Sequence, residues 1–397
     1  MKTIFKKYYS KIARTQLKSV RPFIDKIDWT NRVIGIKGNR GVGKTTIILQ
    51  YLKLNYKTKG ESLYVSLDDL YFSEHRLYEL ADIFSKKGGK ILALDEIHRY
   101  PNWSQELKNI YDDMPDLKVI FTGSSLLHLQ KAKADISRRA VMYNMPGLSF
   151  CEFLEFETTI KFPRYSLDEI IKNHIDISME IISKIKPLSY FDNYLQYGYF
   201  PFYLENRNSY QTKISEIILT ILEVDIPQFA TIQISKIILL KRLLSIISGS
   251  VPFTPNMKKL SQRTEISLNT MKIYLKLLAE ADLIQLLYSP NKSMNNLNKP
   301  NKIFLNNSNL MYNLQGDNAN IGNIRETFFY NQMTYNHIVN SSKESDFLID
   351  EKFTFEIGGK NKGKEQINAI ENSFIAKDDI EIGSENVIPL WLFGFLY

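Results

Sequence analysis

Residues 38–45 read Gly38-Asn39-Arg40-Gly41-Val42-Gly43-Lys44-Thr45, which meets every fixed position of the pattern G-x-x-x-x-G-K-[S/T]. Glycines belong there because the backbone must curl closely around a bound group with its amides turned inward. Residues 32–36 (RVIGI) form a short apolar run that predicts a strand. The stretch TTIILQYLKL that follows the loop predicts a helix. Inward amides and the positive end of a helix dipole together favour a phosphate. Gly38, Asn39, Arg40, Gly41, Val42, Gly43, Lys44, Thr45 and Thr46 are therefore the candidate nucleotide-binding residues. Lys44 is expected at the β- and γ-phosphates, and Thr45 as a ligand of Mg²⁺.

About fifty residues on, the apolar run Ile91-Leu92-Ala93-Leu94 ends in Asp95-Glu96. Beside a phosphate loop, Asp95 is expected to hold the Mg²⁺ shell and Glu96 to polarise an attacking water. A water-activating base implies hydrolysis rather than storage of the nucleotide. A third predicted strand, KVIF at 118–121, ends in Thr122-Gly123-Ser124-Ser125. Ser124, followed by Thr122, is the candidate polar side chain at that strand tip. The stretch TGSSL is not a G-x-S-x-G elbow, so a serine hydrolase is unsupported.

Strands at 32–36, 61–67, 90–94 and 118–121 alternate with helical stretches, which predicts a parallel α/β sheet ending near Ser149. The whole chain has 397 residues, 44% hydrophobic and 24% charged, so it is globular and long enough for two or three domains. Lys2, Lys6, Lys7, Lys11, Arg14, Lys18 and Arg21 precede the first acid, Asp25, and read as a basic amphipathic helix. The net charge of +8 is compatible with a polyanionic partner without requiring one. A single cysteine, Cys151, excludes an intrachain disulfide. With no apolar leader evident, it points to a reducing cytoplasm. No apolar run approaches the roughly 20 residues that span a bilayer, so no membrane partner is expected.

From Phe150 to about Gln228 the periodicity is helical, punctuated by Pro187, Gly198 and Pro201. Residues 234–289 read as three helices and a tight turn, and residues 285–304 supply a candidate wing. Lys258, Lys259, Arg263, Lys272 and Lys276 give that module a basic face. Double-stranded DNA is one expected partner there, and a protein-packing role is the other. The Asn-rich stretch NKSMNNLNKPN reads as a turn.

Taken together, GNRGVGKTT, the stretch from KILALDEIHRYP through VIFTGSS, SRRA with PGLSFCEFL, YLQYGYFP, and KIFLNNSNLMYNL carry a resemblance. The chain resembles the prokaryotic AAA-type ATPases that join a P-loop core to a C-terminal PD-(D/E)xK nuclease-like domain. The resemblance implies ATP rather than another nucleotide, Mg²⁺, and Arg139 as a charge-neutralising arginine at the γ-phosphate. It also draws attention to Glu326, Asp346, Glu356 and Lys360 near the C-terminus, where residues 323–397 read as a helix, two strands, a helix from near Lys364 and a strand near Leu390. In such nucleases a lysine stands two residues after the second strand-borne acid; here that position is Gly358. The implied fold is an α/β P-loop NTPase core (1–149), a helical region (150–232), a winged-helix-like part (233–310) and a nuclease-like α/β part (311–397). The expected function is Mg-dependent ATP hydrolysis coupled to conformational change, with a protein partner or homo-oligomer as a further expectation. Two alternatives stay open: an ATP-switched DNA-binding protein and an ATP-gated nuclease.

Overall fold

The computed structural model describes residues 2–123, 138–227, 234–290, 299–363 and 370–397. The chain divides into two compact units, Met1–Pro146 and Gly147–Tyr397. Among the described residues no helix is long and apolar enough to cross a membrane.

The first unit is built on five parallel strands: β1 (Val33–Lys37), β2 (Ser62–Ser66), β3 (Ile91–Asp95), β4 (Lys118–Gly123) and β5 (Val141–Asn144), in the order β2-β3-β4-β1-β5. β1, β3 and β4 are almost continuously buried, as a parallel sheet covered on both faces requires. β4 lies between β1 and β3, with Ile36 opposite Thr122 and Ala93 opposite Ile120. The loop that follows β1 and the acids that end β3 therefore emerge at the same sheet edge. Four strands follow the sequence expectation. β5 was not foreseen, because its four residues are mostly exposed and carry no apolar period.

Helix α1 (Lys2–Arg14) buries Ile4 and Tyr8, one turn apart, against β2 and helix α2 (Lys44–Asn55). The basic helix stops at Arg14, so Lys18 and Arg21 are not on it, contrary to the sequence reading. Pro22 disfavours helical geometry at Arg21, whose ψ is 134°. Arg21 is instead buried, donating to the carbonyls of Val42 (3.0 Å) and Pro146 (2.8 Å). Helices α3 (Leu77–Lys86) and α4 (Trp103–Asp113) pack against each other.

The second unit begins with helices α5 (Phe150–Thr158), α6 (Leu167–Ile182), α7 (Leu188–Tyr197) and α8 (Tyr210–Thr220). Two capping boxes start α5 and α6: Ser149 with Glu152, and Ser166 with Glu169. Then come α9 (Ile234–Ser248), α10 (Met257–Thr264) and α11 (Leu268–Glu280). A three-residue turn joins α10 to α11, with Glu265 left-handed (φ 58°), Ile266 buried and Ser267 capping α11. β6 (Ile284–Leu287) and β7 (Lys302–Leu305) form an antiparallel pair, and Phe253 bridges to Ile303. Most of the Asn-rich turn, 291–298, lies outside the described residues.

Helices α12 (Ser308–Gln315) and α13 (Ile321–Met333) precede a second five-stranded sheet. Its strands are β8 (Val339–Ser341), β9 (Phe347–Ile349), β10 (Phe353–Gly358), β11 (Ser373–Lys377) and β12 (Val387–Pro389), in the order β12-β11-β10-β9-β8. β8, β9 and β10 are antiparallel neighbours, whereas β10, β11 and β12 run parallel. The sequence reading lacked β8 and β11. The strand expected near Leu390 corresponds to β12, which ends one residue before it, where a 3₁₀ turn (Leu390–Phe395) begins. Pro389, with no amide hydrogen to donate, ends the ladder just before that turn. The helix expected from Lys364 lies outside the described residues.

Candidate nucleotide site

Between β1 and α2 the chain turns through three glycines with positive φ: Gly38 (156°), Gly41 (80°) and Gly43 (98°). A side chain at Gly38 would also collide with the Met145 carbonyl, at 2.2 Å from an ideal Cβ. Val42 turns its side chain into the core, so it can serve a ligand only through its backbone. Arg21 fixes that residue's carbonyl from behind. Asn39 is buried, and its side-chain oxygen accepts from the Arg40 amide at 2.7 Å. Thr46 is exposed on the first turn of α2. The Lys44 side chain folds back over the loop, its Nζ donating to the carbonyls of Gly38 and Asn39, both at 2.8 Å. These two neutral carbonyls hold the ammonium group over the loop without cancelling its charge.

Asp95, at the end of β3, is buried. Among the described residues the hydrogen-bond partners of its carboxylate are three hydroxyls. Thr45 Oγ1 donates to Oδ2 at 2.7 Å, Tyr64 Oη donates to Oδ2 at 2.6 Å, and Thr122 Oγ1 donates to Oδ1. Burial, and then the Asp95 carboxylate itself, push the Tyr64 hydroxyl far above its ordinary value, so it remains a donor. The Thr45 hydroxyl and the Asp95 carboxylate form a hard-oxygen donor set at the mouth of the loop, which suits Mg²⁺.

Glu96 follows in the left-handed conformation (φ 53°, ψ 45°), which turns the chain sharply at the strand tip. Its amide donates to Thr122 Oγ1 at 3.0 Å, so one hydroxyl positions both acids. The Glu96 carboxylate lies 3.7 Å from Arg40 and 3.4 Å from His98 Nε2. The structure thus brings together Gly38 to Thr45, Asp95, Glu96 and Thr122. Arg139 donates to Asp112 through two bonds of 3.1 Å and lies over the Tyr111 ring. Ser124 lies outside the described residues.

Tyr64 and Arg21 were not singled out from sequence. Tyr64 sits in a strand whose alternation marks it as core, and Arg21 stands in a run of basic residues. Neither carries a local signal, because each role depends on a partner 21 or more residues away.

The C-terminal acids sit in the second sheet. Glu326 is on α13, Asp346 immediately precedes β9 and Glu356 is on β10. Burial first, and Asp346 second, raise the Glu326 carboxyl to about 7, against the opposing pull of Lys302. Lys302 stays charged, because attraction to Glu326 and Asp346 outweighs its own burial. Lys360 is exposed; the lysine that reaches Glu356 is Lys362.

Residues 30–154 match a family model described as an AAA domain, and residues 188–320 match a domain family of unknown function, DUF8612. An uncharacterised protein of Methanocaldococcus jannaschii, MJ1637, is 31% identical over 187 residues, which cover 44% of this chain and 39% of that protein. The chain thus matches well under half of that relative's length. The Walker-type ATPase PABY2304 of Pyrococcus abyssi aligns over 73% of this chain and 93% of its own, at 12% identity and a TM-score of 0.41. C. elegans PCH-2 aligns over 44% of this chain and 47% of its own, at 18% identity and a TM-score of 0.24. The motif, the five-stranded parallel sheet and the family match agree that the N-terminal unit holds an AAA-type P-loop NTPase core.

Proposed function

We propose that the chain binds Mg·ATP in the 38–46 loop and hydrolyses it to ADP and phosphate. The observation that carries this reading is the pairing of Thr45 with Asp95, 2.7 Å apart beside the Lys44 loop, with Glu96 next in sequence. Thr45 and Asp95 would hold Mg²⁺, which when bound neutralises charge on the β- and γ-phosphates. The loop amides and Lys44 bind the phosphates; Lys44 exchanges two carbonyl partners for phosphate oxygens. Glu96 accepts a proton from water as the water oxygen bonds to the γ-phosphorus and the bond to the bridging oxygen breaks. Thr122 keeps Asp95 and the Glu96 backbone in register. Ser124 is assigned to water or γ-phosphate contact. A charge-neutralising role for Arg139 requires it to leave Asp112.

In this reading the nucleotide state drives a conformational change in the residues that follow. Those are taken as a helical region (150–232), a winged-helix module (233–310) and a nuclease-like sheet (311–397). The helix-turn-helix joined to the β6-β7 hairpin supports the second, and the α13-β9-β10 order with parallel β11 supports the third. A reducing cytoplasm is the proposed compartment, on the ground of the single cysteine, Cys151. A protein partner or a second copy of the chain is the proposed recipient of the change. A second reading, duplex DNA binding, is favoured by exposed Lys258, Lys259, Arg263 and Lys276 around α10 and α11.

Turnover of ATP by the full chain, with and without Mg²⁺ and in Lys44→Ala, tests the main reading. Turnover that needs Mg²⁺ and vanishes in Lys44→Ala is the expected result; none in the wild type overturns it. For the DNA reading, affinity should fall steeply with salt, and Lys258→Glu with Lys259→Glu should lower the log–log slope by about one unit for each phosphate no longer neutralised.

A further inference from the structure

Three carboxylates and two ammonium groups form two ion-paired groups around β9 and β10 of the C-terminal sheet. Lys302, at the start of β7, places its Nζ 3.1 Å from Glu326 Oε2 and 3.1 Å from Asp346 Oδ1. The other Asp346 oxygen accepts the Ile357 amide at 3.0 Å. Glu356 Oε1 is bonded by Lys362, and Glu356 Oε2 accepts from Ser345 Oγ at 2.8 Å.

The nuclease-like topology implies a divalent cation among these acids, and the residues present do not fit one. A divalent cation needs several oxygens turned to one point with their negative charge unspent. Here each acid gives an oxygen to an ammonium group, and two lysines supply the charge of one divalent ion. Among the described residues no group of three His, Cys, Asp or Glu side chains is arranged to hold a metal ion. Gly358 explains how Lys362 arrives. A Cβ at that position would lie 2.4 Å from Lys362 Cβ and Cγ, so the missing side chain leaves the path for the lysine stem.

We infer that Lys302, with Lys362 on Glu356, takes the place of the divalent cation and that Lys302 closes its two acids as an ionic clamp, fastening the β6-β7 hairpin to α13 and to the start of β9. The metal-replacement half rests on the nuclease-like reading; the clamp half does not. Lys302 is 24 residues from Glu326 and 44 from Asp346, so the clamp joins segments remote in the chain. In this part-buried cluster, removing one partner of an ion pair leaves the opposite charge less well compensated, whereas removing both relieves it.

Full-length, nucleotide-free protein is used for the test, with Mn²⁺ as the probe and thermal melting at pH 8. The wild type is expected to hold no Mn²⁺ that Asp346→Asn removes. Lys302→Met is expected to melt several degrees below the wild type. Adding Asp346→Asn to it is expected to recover most of that loss. If Lys302→Met does not fold, the reverse order reads the same coupling: Lys302→Met added to Asp346→Asn should cost little. Asp346→Asn-sensitive Mn²⁺ binding in the wild type would overturn the replacement. Melting losses that simply add would overturn the clamp. Neither result bears on ATP turnover by the wild type, which is measured separately.

Discussion

Asp95 in the N-terminal unit and Asp346 in the C-terminal unit are both inward-turned acids with a lysine on a nearby element, yet their surroundings differ. Asp95 is held by three neutral hydroxyls, while Lys44 is parked on backbone carbonyls. Asp346 is held by an amide and by Lys302 itself. Hydroxyls orient a carboxylate without cancelling its charge; an ammonium group does both. The first arrangement orients the Asp95 carboxylate through neutral donors, as a metal ligand requires. The second joins acid and ammonium and leaves a structural contact. Acids and lysines on a sheet edge are therefore not evidence of chemistry until their partners are known.

The largest expected effect follows from moving charge in the first site. Lys44→Ala should weaken ATP binding by about 100-fold or more in calorimetry, since the phosphate charge loses its point-charge partner. Retained affinity would mean that Lys44 belongs to its carbonyls. Thr122→Val comes next. It removes one hydroxyl from Asp95 and strands the Glu96 amide, a loss of roughly 1–3 kcal/mol that should lower kcat by about 10- to 100-fold with KM little changed. A change in KM alone would assign Thr122 to binding.

The second cluster also predicts a response to pH. Glu326 is raised from 4.5 to about 7 by burial and by Asp346, with Lys302 pulling the other way and Glu356 adding to the repulsion. The folded state holds that proton more tightly than the unfolded chain does. Its stabilisation is complete below about 4.5 and is lost as pH rises through about 7. Melting temperature followed across that window should fall more steeply in the wild type than in Glu326→Gln; parallel profiles would remove Glu326 as the source. The smallest effect is expected from Tyr64→Phe, which removes one of two donors on the same Asp95 oxygen, about 1 kcal/mol or less than tenfold in kcat.

What could be read from sequence was what chemistry confines to a short contiguous stretch. The loop from Gly38 to Thr45 and the Asp95-Glu96 pair declare themselves because close backbone curvature and a strand tip dictate residue types locally. Lys302 and Lys362 were not legible, since their partners are fixed by how remote strands pair. The expected Lys360 is exposed, and only the missing side chain at Gly358 reveals why Lys362 replaces it. β5 escaped because an edge strand of four residues needs no apolar period. Arg21 escaped because Pro22 ends a basic run that otherwise looks like one helix.

Single-turnover hydrolysis by Glu96→Gln, measured beside its ATP affinity, tests the central claim most directly. Glutamine keeps the size and the backbone hydrogen bond to Thr122 but cannot take a proton from water. The account predicts ATP affinity close to the wild type and hydrolysis slowed by roughly 10²–10⁴. Hydrolysis at the wild-type rate, or an equal loss of binding and turnover, would contradict it.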